Sequence, residues 1–172
     1  MSRKKGTEVR IRRAKPHDVV ALTELDRLCF PAADRFPRRT WRHLLTRAAH
    51  NRSCISIIAE IDGAVVGAAA VLLRRDSTLA RLYTLAVDPS ARGGGLGRRL
   101  IANLLQQVPA RCDTMSLEVR ATNTAARGLY ESLGLQKSAD LPAYYADYAD
   151  AVRMRGSLKL IVQKALSSIA LA

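Results

Sequence analysis

Cysteine, histidine and aromatic side chains are scarce in this sequence of 172 residues. Its three cysteines lie far apart and form no C-x-x-C pair, which argues against a disulfide framework or a zinc site and favours a reducing compartment. Its three histidines form no H-x-x-x-H pair, so we expect no bound metal. One Trp, two Phe and five Tyr, together with the lack of a recognisable RNA motif, argue against a dedicated RNA-binding module.

Long apolar runs are also missing. The longest apolar run near the basic N-terminus is residues 19–22, which is too short for a signal peptide. No other segment is long enough to span a bilayer. We therefore expect a cytoplasmic protein that does not enter a membrane.

Acidic residues are too few to balance the basic ones, since 15 Asp and Glu stand against 28 Lys and Arg and leave a net charge of +13. This excess implies anionic partners such as nucleotide phosphates or nucleic acid. The charge is unevenly distributed, because residues 34–52 contain six Arg and one Asp, whereas residues 138–152 contain three Asp and no Lys or Arg.

The hydrophobic periodicity predicts a single domain with the element order β-α-α-β-β-β-α-β-α-β-β. Asp62-Gly63 between two apolar runs predicts a hairpin. Residues 79–87 are almost wholly apolar, which is typical of a strand buried on both faces. Residues 79–119 form a βαβ unit, whose two strands are expected to be parallel.

A glycine-rich loop, residues 92–100 with the sequence RGGGLGRRL, lies between that strand and the next predicted helix. The first amides of a helix lack intrahelical partners and the helix dipole is positive there, so this position favours a phosphate group. The loop lacks the Lys-Ser or Lys-Thr of a P-loop and the third glycine of a dinucleotide fingerprint. From the residues alone, a phosphate site and a flexible turn both remain open.

Two blocks of the sequence resemble the GNAT N-acetyltransferases. Residues 92–97, RGGGLG, resemble the R/Q-x-x-G-x-G/A loop that binds acetyl-coenzyme A in that family, and residues 85–89, LAVDP, precede it. Residues 117–123, LEVRATN, and residues 129–134, LYESLG, resemble the bacterial branch that acetylates the N-terminal alanine of a small-subunit ribosomal protein. Three shorter matches fit the same branch: residues 29–31, residues 144–145 and residues 150–154.

The resemblance implies a twisted mixed β-sheet of about seven strands, an α/β (α+β) fold with helices on both faces and a parallel strand pair that splays apart. It implies acetyl-CoA as cosubstrate and no metal. The pantetheine arm would pair with the main chain at Leu85 and Val87, and the pyrophosphate would lie on the amides of residues 93–98. The resemblance implies the following cofactor-binding residues: Leu85, Ala86, Val87, Arg92, Gly93, Gly94, Gly95, Leu96, Gly97, Arg98, Asn123 and Tyr130.

The resemblance also assigns the catalytic groups. Glu118 alternates with apolar neighbours on a predicted strand, where glutamate is uncommon, and would be the general base, directly or through water. Tyr130 would protonate the departing thiolate of coenzyme A. Without the resemblance, Glu118 would be read as part of a solvated strand face and Tyr130 as a tyrosine at the edge of the core.

The acceptor implied by the resemblance is a protein N-terminus, such as that of a ribosomal protein, with Phe30, Tyr144 and Asp147 as substrate-binding residues. We further hypothesise that Asp140 and Asp147 attract a cationic amine or a basic peptide, although a plain surface loop is an equal alternative. A polyamine-like amine is the alternative acceptor. A ribosome- or RNA-associated binding module, supported by the net charge, is the alternative function.

The predicted domain organisation has three parts: a basic arm over residues 1–8, the acetyltransferase domain over 9–156 and an amphipathic helical extension over 157–172. Apolar residues in the extension recur at helical spacing. Packing against the domain or against a second subunit would bury them, so a monomer and a homodimer both remain open.

Overall fold

The computed structural model describes residues 8–170. The predicted basic arm, apart from Glu8, and the last two residues of the predicted extension lie outside the described residues. None of the helices within residues 8–170 is long and apolar enough to cross a membrane.

The described residues form seven strands and five α-helices in the predicted order. Short 3₁₀ turns precede α1, α2 and α3, and a π-helical turn, Leu44–Ala48, continues α2. The elements are β1 (Val9–Arg13), α1 (Val19–Cys29), α2 (Arg38–His43), β2 (Cys54–Ile61), β3 (Ala64–Leu73), β4 (Leu79–Val87), α3 (Leu96–Leu105), β5 (Thr114–Arg120), α4 (Thr124–Ser132), β6 (Gln136–Leu141), β7 (Ala151–Ser157) and α5 (Leu158–Ala170).

The seven strands form one mixed sheet in the order β1-β2-β3-β4-β5-β7-β6, in which only β4 and β5 are parallel neighbours among the described strands. The predicted hairpin joins β2 to β3. Asp62 and Gly63 both have positive φ, 50° and 81°, as a type I′ turn requires. The mixed sheet confirms the predicted fold class.

The parallel pair separates soon after it forms. Its ladder covers only three register positions, from Leu79 opposite Thr114 to Arg81 opposite Ser116. A bulge follows at Tyr83, the extra residue opposite β3, and bulges bend a strand and increase its twist. Because β4 and β5 both continue beyond the ladder, a gap opens between them, as predicted for a splayed pair.

Helices cover both faces of the sheet. One buried cluster joins the sheet to α3, α4 and α5 and includes Leu100, Leu104 and Leu133, which are fully buried. The other cluster joins the opposite face to α1 and α2 and includes Leu22 and Trp41. The sheet therefore separates two sides, and the gap between β4 and β5 connects them.

The C-terminal helix α5 packs against α3, with Leu158, Ile161 and Ala165 buried in the same cluster as the sheet. This contact places the apolar stripe of the helix on the body of the protein. The predicted boundary before residue 157 therefore separates two segments that share one hydrophobic core.

We expect Ile161→Ala to lower the free energy of unfolding by about 2–5 kcal/mol, because it leaves a cavity at a fully buried side chain. Leu166→Ala is the matched control, since Leu166 is 43% exposed on the same helix and its loss is expected to cost under about 1 kcal/mol. Urea unfolding measures both. If both variants lower the free energy of unfolding by the same small amount, the buried face of α5 does not stabilise the fold.

Candidate active site

A cleft of about 380 Å³ occupies the gap between β4 and β5. Main chain and side chains of both strands line it, together with the connection between α1 and α2, the start of α4 and the connection between β6 and β7. Six of the predicted site residues line the cleft: Phe30, Leu85, Glu118, Asn123, Tyr130 and Tyr144. No group of three His, Cys, Asp or Glu residues within 8–170 is close enough to hold a metal ion.

The glycine-rich loop ends at the first turn of α3. Gly95 is the N-cap in a left-handed conformation, with φ 73°, and the first intrahelical bond runs from the Arg99 amide to the Gly95 carbonyl at 3.1 Å. The amides of Leu96, Gly97 and Arg98 thus precede the first donor that has an intrahelical partner. These donors and the positive helix end favour an anion.

Open space surrounds the loop where an anion would approach. A Cβ atom added to Gly93, Gly94 or Gly95 would meet no atom within 4 Å. Gly97 differs, because its Cβ would lie 3.4 Å from Leu129 of α4. The loop therefore has no side chains at the three glycines that face open space. Its last glycine, Gly97, lies at the contact between α3 and α4.

The main chain at the end of β4 faces the cleft. The Asp88 amide donates to Val66 of β3, so by alternation the peptide groups of Leu85 and Val87 point to the opposite edge. The Val87 carbonyl accepts from Arg92 Nε at 2.9 Å and from Cys29 Sγ at 3.3 Å. Leu85 and Val87, the predicted main-chain partners of the pantetheine arm, therefore lie at an unpaired edge of β4. The Val87 carbonyl, however, already accepts hydrogen bonds from within the protein.

The remaining predicted cofactor residues surround this edge. Arg98 donates to the Ser132 hydroxyl at 2.8 Å, which connects α3 to α4. The Asn123 side chain accepts from the Ala126 amide at 3.1 Å and caps α4, as the sequence predicts. The side-chain nitrogen of Asn123 remains able to donate a hydrogen bond to another partner. Ala86 lies in β4 with its side chain buried on the α1 and α2 side.

Glu118 lies on β5 with a side chain only 8% exposed. Its Oε2 accepts from Arg81 Nε at 2.8 Å and lies 2.7 Å from Arg81 Nη2, while its Oε1 accepts from Arg153 Nε at 2.9 Å. A carboxylate has about four lone-pair positions, so one on Oε1 remains. The Glu118 carboxyl group thus lies between two guanidinium groups.

Tyr130 lies on α4 and reaches the same cleft. It is 7% exposed and belongs to the sheet's buried cluster. Burial, with a smaller contribution from Tyr145, raises the pKa of the Tyr130 hydroxyl well above its usual value. The phenol therefore stays protonated at neutral pH, as a proton donor must.

The predicted acceptor residues separate into two groups. Phe30 and Tyr144 line the cleft, and the Tyr144 hydroxyl accepts from Arg81 Nη2 at 3.0 Å. Asp147 does not line it, but lies at the rim, 3.0 Å from Arg120 Nη2. The Arg120 contact holds the pKa of Asp147 below its usual value.

Arg120 lies on one segment that lines the cleft and contacts two others. The sequence analysis did not single it out as a site residue. From β5 it makes a two-bond contact with Asp34, one bond being 2.6 Å, and lies 4.3 Å from the Tyr145 ring centre. Asp34 belongs to the connection between α1 and α2, whereas Tyr145 and Asp147 belong to the connection between β6 and β7. The only sequence signal was the place of Arg120 two residues after Glu118.

Asp26 was also missed, because it lies inside the predicted apolar pattern of α1. Its Oδ2 accepts from the Phe36 amide at 2.9 Å and from the Trp41 indole at 3.0 Å. Burial raises the pKa of Asp26 to about 6, against the effect of those two bonds. The carboxylate fixes the chain that follows α1, where that chain forms a wall of the cleft.

The carboxylates of the acidic segment have partners inside the protein. Asp147 is paired with Arg120, Asp140 with Lys137 at 2.6 Å, and Asp150 accepts from the Ala143 amide at 2.8 Å. Arg120 is shared with Asp34 and an amide carries no charge, so part of the negative charge remains and the hypothesis that this segment attracts a basic peptide stays a prediction.

Comparisons with known proteins agree on one family. The family model described as Acetyltransferase (GNAT) family matches residues 19–135. The N-alpha-acetyltransferase RimI of Mycobacterium tuberculosis is 35% identical over 141 residues, which cover 80% of this chain and 85% of that protein. An uncharacterised N-acetyltransferase of Methanocaldococcus jannaschii is 38% identical over 99 residues; the match covers 56% of this chain and, at 62%, less than two thirds of that protein.

A solved structure is similar over most of the chain. The ribosomal-protein-S18-alanine N-acetyltransferase of Escherichia coli superimposes with a TM-score of 0.73 at 27% identity. The superposition covers 88% of this chain and 94% of that one.

Proposed function

The chain belongs to the GNAT acetyltransferase family, and from this premise we propose that it transfers an acetyl group from acetyl-CoA to the α-amine of a protein N-terminus, of the ribosomal-protein alanine type. One observation carries the proposal: Glu118 and Tyr130 line the same cleft where the parallel strands separate. The site would thus have a base and an acid where the gap connects the two faces of the sheet.

The chain has groups that suit each part of acetyl-CoA, the donor in this family. The amides at the start of α3 suit the pyrophosphate, with Arg92 and Arg98 nearby to add charge. The unpaired edge at Leu85 and Val87 suits the amide-bearing pantetheine arm, provided that Arg92 shares or releases the Val87 carbonyl. Acetyl-CoA supplies the activated thioester, and the acyl carbon would lie between Glu118 and Tyr130.

Glu118 would take the proton of the attacking amine. An ammonium group must lose a proton before its nitrogen can form the C–N bond, and a positioned base contributes typically about 10²–10⁴-fold. The free lone pair on Oε1 can accept that proton directly or through a water molecule. Arg81 and Arg153 would orient the carboxylate through the bonds described above.

Tyr130 would give a proton to the sulfur as the C–S bond breaks. Its buried hydroxyl is protonated at assay pH because burial raises its pKa. The ammonium proton passes through Glu118 to solvent, and the neutral amine then forms the C–N bond and gives its second proton to the same carboxylate. The phenol proton passes to the thiolate as the C–S bond breaks, so the products are a neutral amide and a thiol. Solvent then restores both groups, and no covalent enzyme intermediate is needed.

A protein N-terminus is the acceptor that we favour, because two relatives that the chain resembles are N-terminal acetyltransferases by name. An α-amine with a pKa near ~8 is also about one-tenth neutral at pH 7, much more than a lysine near ~10.4. The cleft opens between two surface connections, through which a chain end can enter. Such a reaction would take place in the cytoplasm.

Thiol release from acetyl-CoA tests this proposal. We expect turnover with peptides that begin with a free alanine, and none with the same peptides acetylated at the N-terminus. Mass spectrometry locates the acetyl group on the α-amine. If the enzyme acetylates spermidine but none of the peptides, its acceptor is a small amine. If it acetylates no amine at all, the RNA-associated role is the remaining function.

A further inference from the structure

Asp26 is a buried carboxylate at the cleft that takes no part in the proposed proton transfers. It lies on α1, is 1% exposed and lines the cleft. Its Oδ1 has no hydrogen-bond partner within residues 8–170. Because burial raises its pKa from 3.8 to about 6, Asp26 is mostly ionised at neutral pH and its charge lowers the stability of the fold there. That loss of stability is removed as the pH falls through about 6. An ionised group that lowers stability beside a cleft points to a role in function.

The two donors to Asp26 belong to the segment that follows α1. The Phe36 amide and the Trp41 indole both donate to its Oδ2. The rings of Phe36 and Trp41 meet edge to face with centres 5.6 Å apart, and Phe36 stacks on Tyr83 of β4 with centres 4.8 Å apart. Phe36 and Tyr83 line the cleft, whereas Trp41 is buried. One carboxylate oxygen therefore fixes two of three packed rings, and the stacking connects them to β4.

Residues 30–36, which we call the acceptor wall, connect α1 to α2, and six of them line the cleft. The wall includes Phe30, a predicted substrate-binding residue. Arg120 contacts the middle of the wall, as described above, and Asp26 holds its last residue, Phe36. Hydrogen bonds to an ionised acceptor are roughly twice as strong as neutral ones, so the wall is held most firmly when Asp26 is ionised. A wall that is fixed in advance need not be ordered when a ligand binds.

We propose that Asp26 is a positioning residue for the acceptor: its carboxylate fixes Phe36 and Trp41 and thereby holds the acceptor wall in the form that binds the peptide. This inference rests on the proposed function, since it concerns the acceptor of the same cleft. Asp26 acts through the wall and does not exchange a proton with the substrate. Its loss should therefore weaken acceptor binding without slowing the chemical step.

Other groups near Asp26 can titrate or carry charge. Arg35 of the acceptor wall opposes the effect of burial on the Asp26 pKa. Burial, with a smaller contribution from Asp26, raises the pKa of the Cys29 thiol on the same helix. The phenol of Tyr83 on β4 and the exposed imidazole of His43 on α2, two residues from Trp41, complete the set. Of these, His43 is the group that an experiment near pH 6 must separate from Asp26.

Asp26→Asn tests the inference, because asparagine keeps the shape of the side chain and removes its charge. At pH 7.5 we expect KM for a peptide that begins with alanine to rise about tenfold, since the peptide must then order the wall. The value of kcat and the dissociation constant of acetyl-CoA should stay within about twofold, because Glu118 and Tyr130 lie on other elements. The ratio of the mutant KM to the wild-type KM should approach one at pH 5, where both proteins lack the charge.

The comparison has internal controls. The acceptor amine also titrates, but it does so equally for both proteins, so the KM ratio is free of that effect. Asp62→Asn makes the same chemical change at the exposed turn between β2 and β3, and we expect its KM to equal that of wild type. A tenfold rise in KM for Asp62→Asn as well would attribute the effect to net charge and contradict the proposal.

The unmodified protein offers a second measurement, because Trp41 is the only tryptophan in the sequence and bonds to Asp26. We expect its fluorescence to change with a midpoint near pH 6. The transition should be kept in His43→Gln and absent from Asp26→Asn. A transition that is lost in His43→Gln and kept in Asp26→Asn would belong to His43, and the titration would then speak against an ionised Asp26 at neutral pH.

Peptide binding should move this midpoint, which tests the inference even if Asp26→Asn does not fold. A ligand that binds the ionised form about tenfold more tightly lowers the midpoint by about one pH unit at saturation. The probe is the acetylated product peptide without tryptophan, since it has no ammonium group that would attract the carboxylate. An unchanged midpoint at saturating peptide would overturn the proposal.

This inference and the proposed function can fail separately. If no peptide is acetylated, the proposed function is rejected, and this inference with it. If peptides are acetylated but Asp26→Asn keeps the wild-type KM at pH 7.5, only the inference is rejected. If kcat and the affinity for acetyl-CoA fall as much as the affinity for the peptide, Asp26 supports the whole cleft and the assignment to the acceptor wall is wrong.

Discussion

Replacing Glu118 with Gln is expected to lower kcat for peptide acetylation by about 100-fold or more, because the amide cannot accept a proton from the attacking amine. The change keeps the shape of the side chain, which is 8% exposed. The proposed diphosphate site at the start of α3 lies on another element, so the dissociation constant of acetyl-CoA should stay within about twofold. Initial rates of thiol release and calorimetric titration with acetyl-CoA measure the two quantities.

Glu131→Gln is the matched control for this variant. Glu131 lies on α4, is 56% exposed and lies 4.0 Å from Arg127, outside the cleft. It makes the same chemical change without touching the proposed site, and we expect wild-type kcat. If Glu118→Gln folds, as judged by circular dichroism, and keeps a third or more of wild-type kcat, Glu118 is not the base.

The sequence predicted the elements because their signals are local. Periodicity located the helices, Asp62-Gly63 predicted the β2–β3 turn, and Asn123 predicted the cap of α4. The βαβ order predicted that β4 and β5 are parallel, and the resemblance supplied what local signals cannot, namely the early separation of the two strands. The match to the family confirms the predicted acetyltransferase class and its acetyl-CoA donor.

One prediction about β4 was incomplete for a physical reason. The strand was expected to be buried on both faces, but only alternate residues are buried. Its other side chains, among them Arg81 and Tyr83, border the cleft that forms where β5 moves away. An apolar run contains no information about a gap between two strands.

The ion pairs around the cleft could not be read from the sequence, because each connects distant residues. Arg120 joins Asp34 across 86 positions. Arg81 and Arg153 reach Glu118 only because β4, β5 and β7 are neighbours. The two guanidinium groups at Glu118 are thus a consequence of strand order, which the sequence alone does not give.

Gly94→Asp is expected to raise the dissociation constant of acetyl-CoA by about 100-fold, since two unit charges 4 Å apart repel by about 4 kcal/mol near a protein surface before screening. Gly94 has space for a side chain, because a Cβ there meets no atom within 4 Å, and its φ is not positive. The new carboxylate would lie beside the proposed diphosphate site without straining the fold. Calorimetric titration of the folded variant gives the constant.

Gly94→Asn separates charge from bulk, because asparagine has nearly the same shape and no charge; we expect a loss of affinity below about tenfold, the electrostatic repulsion being absent. Acetyl-pantetheine, which lacks the diphosphate, makes the second comparison. Its affinity should be the same in wild type and Gly94→Asp if the loop holds only the diphosphate. An equal loss for both ligands would show that the substitution distorts the cleft, and an unchanged affinity for acetyl-CoA would place the diphosphate away from the start of α3.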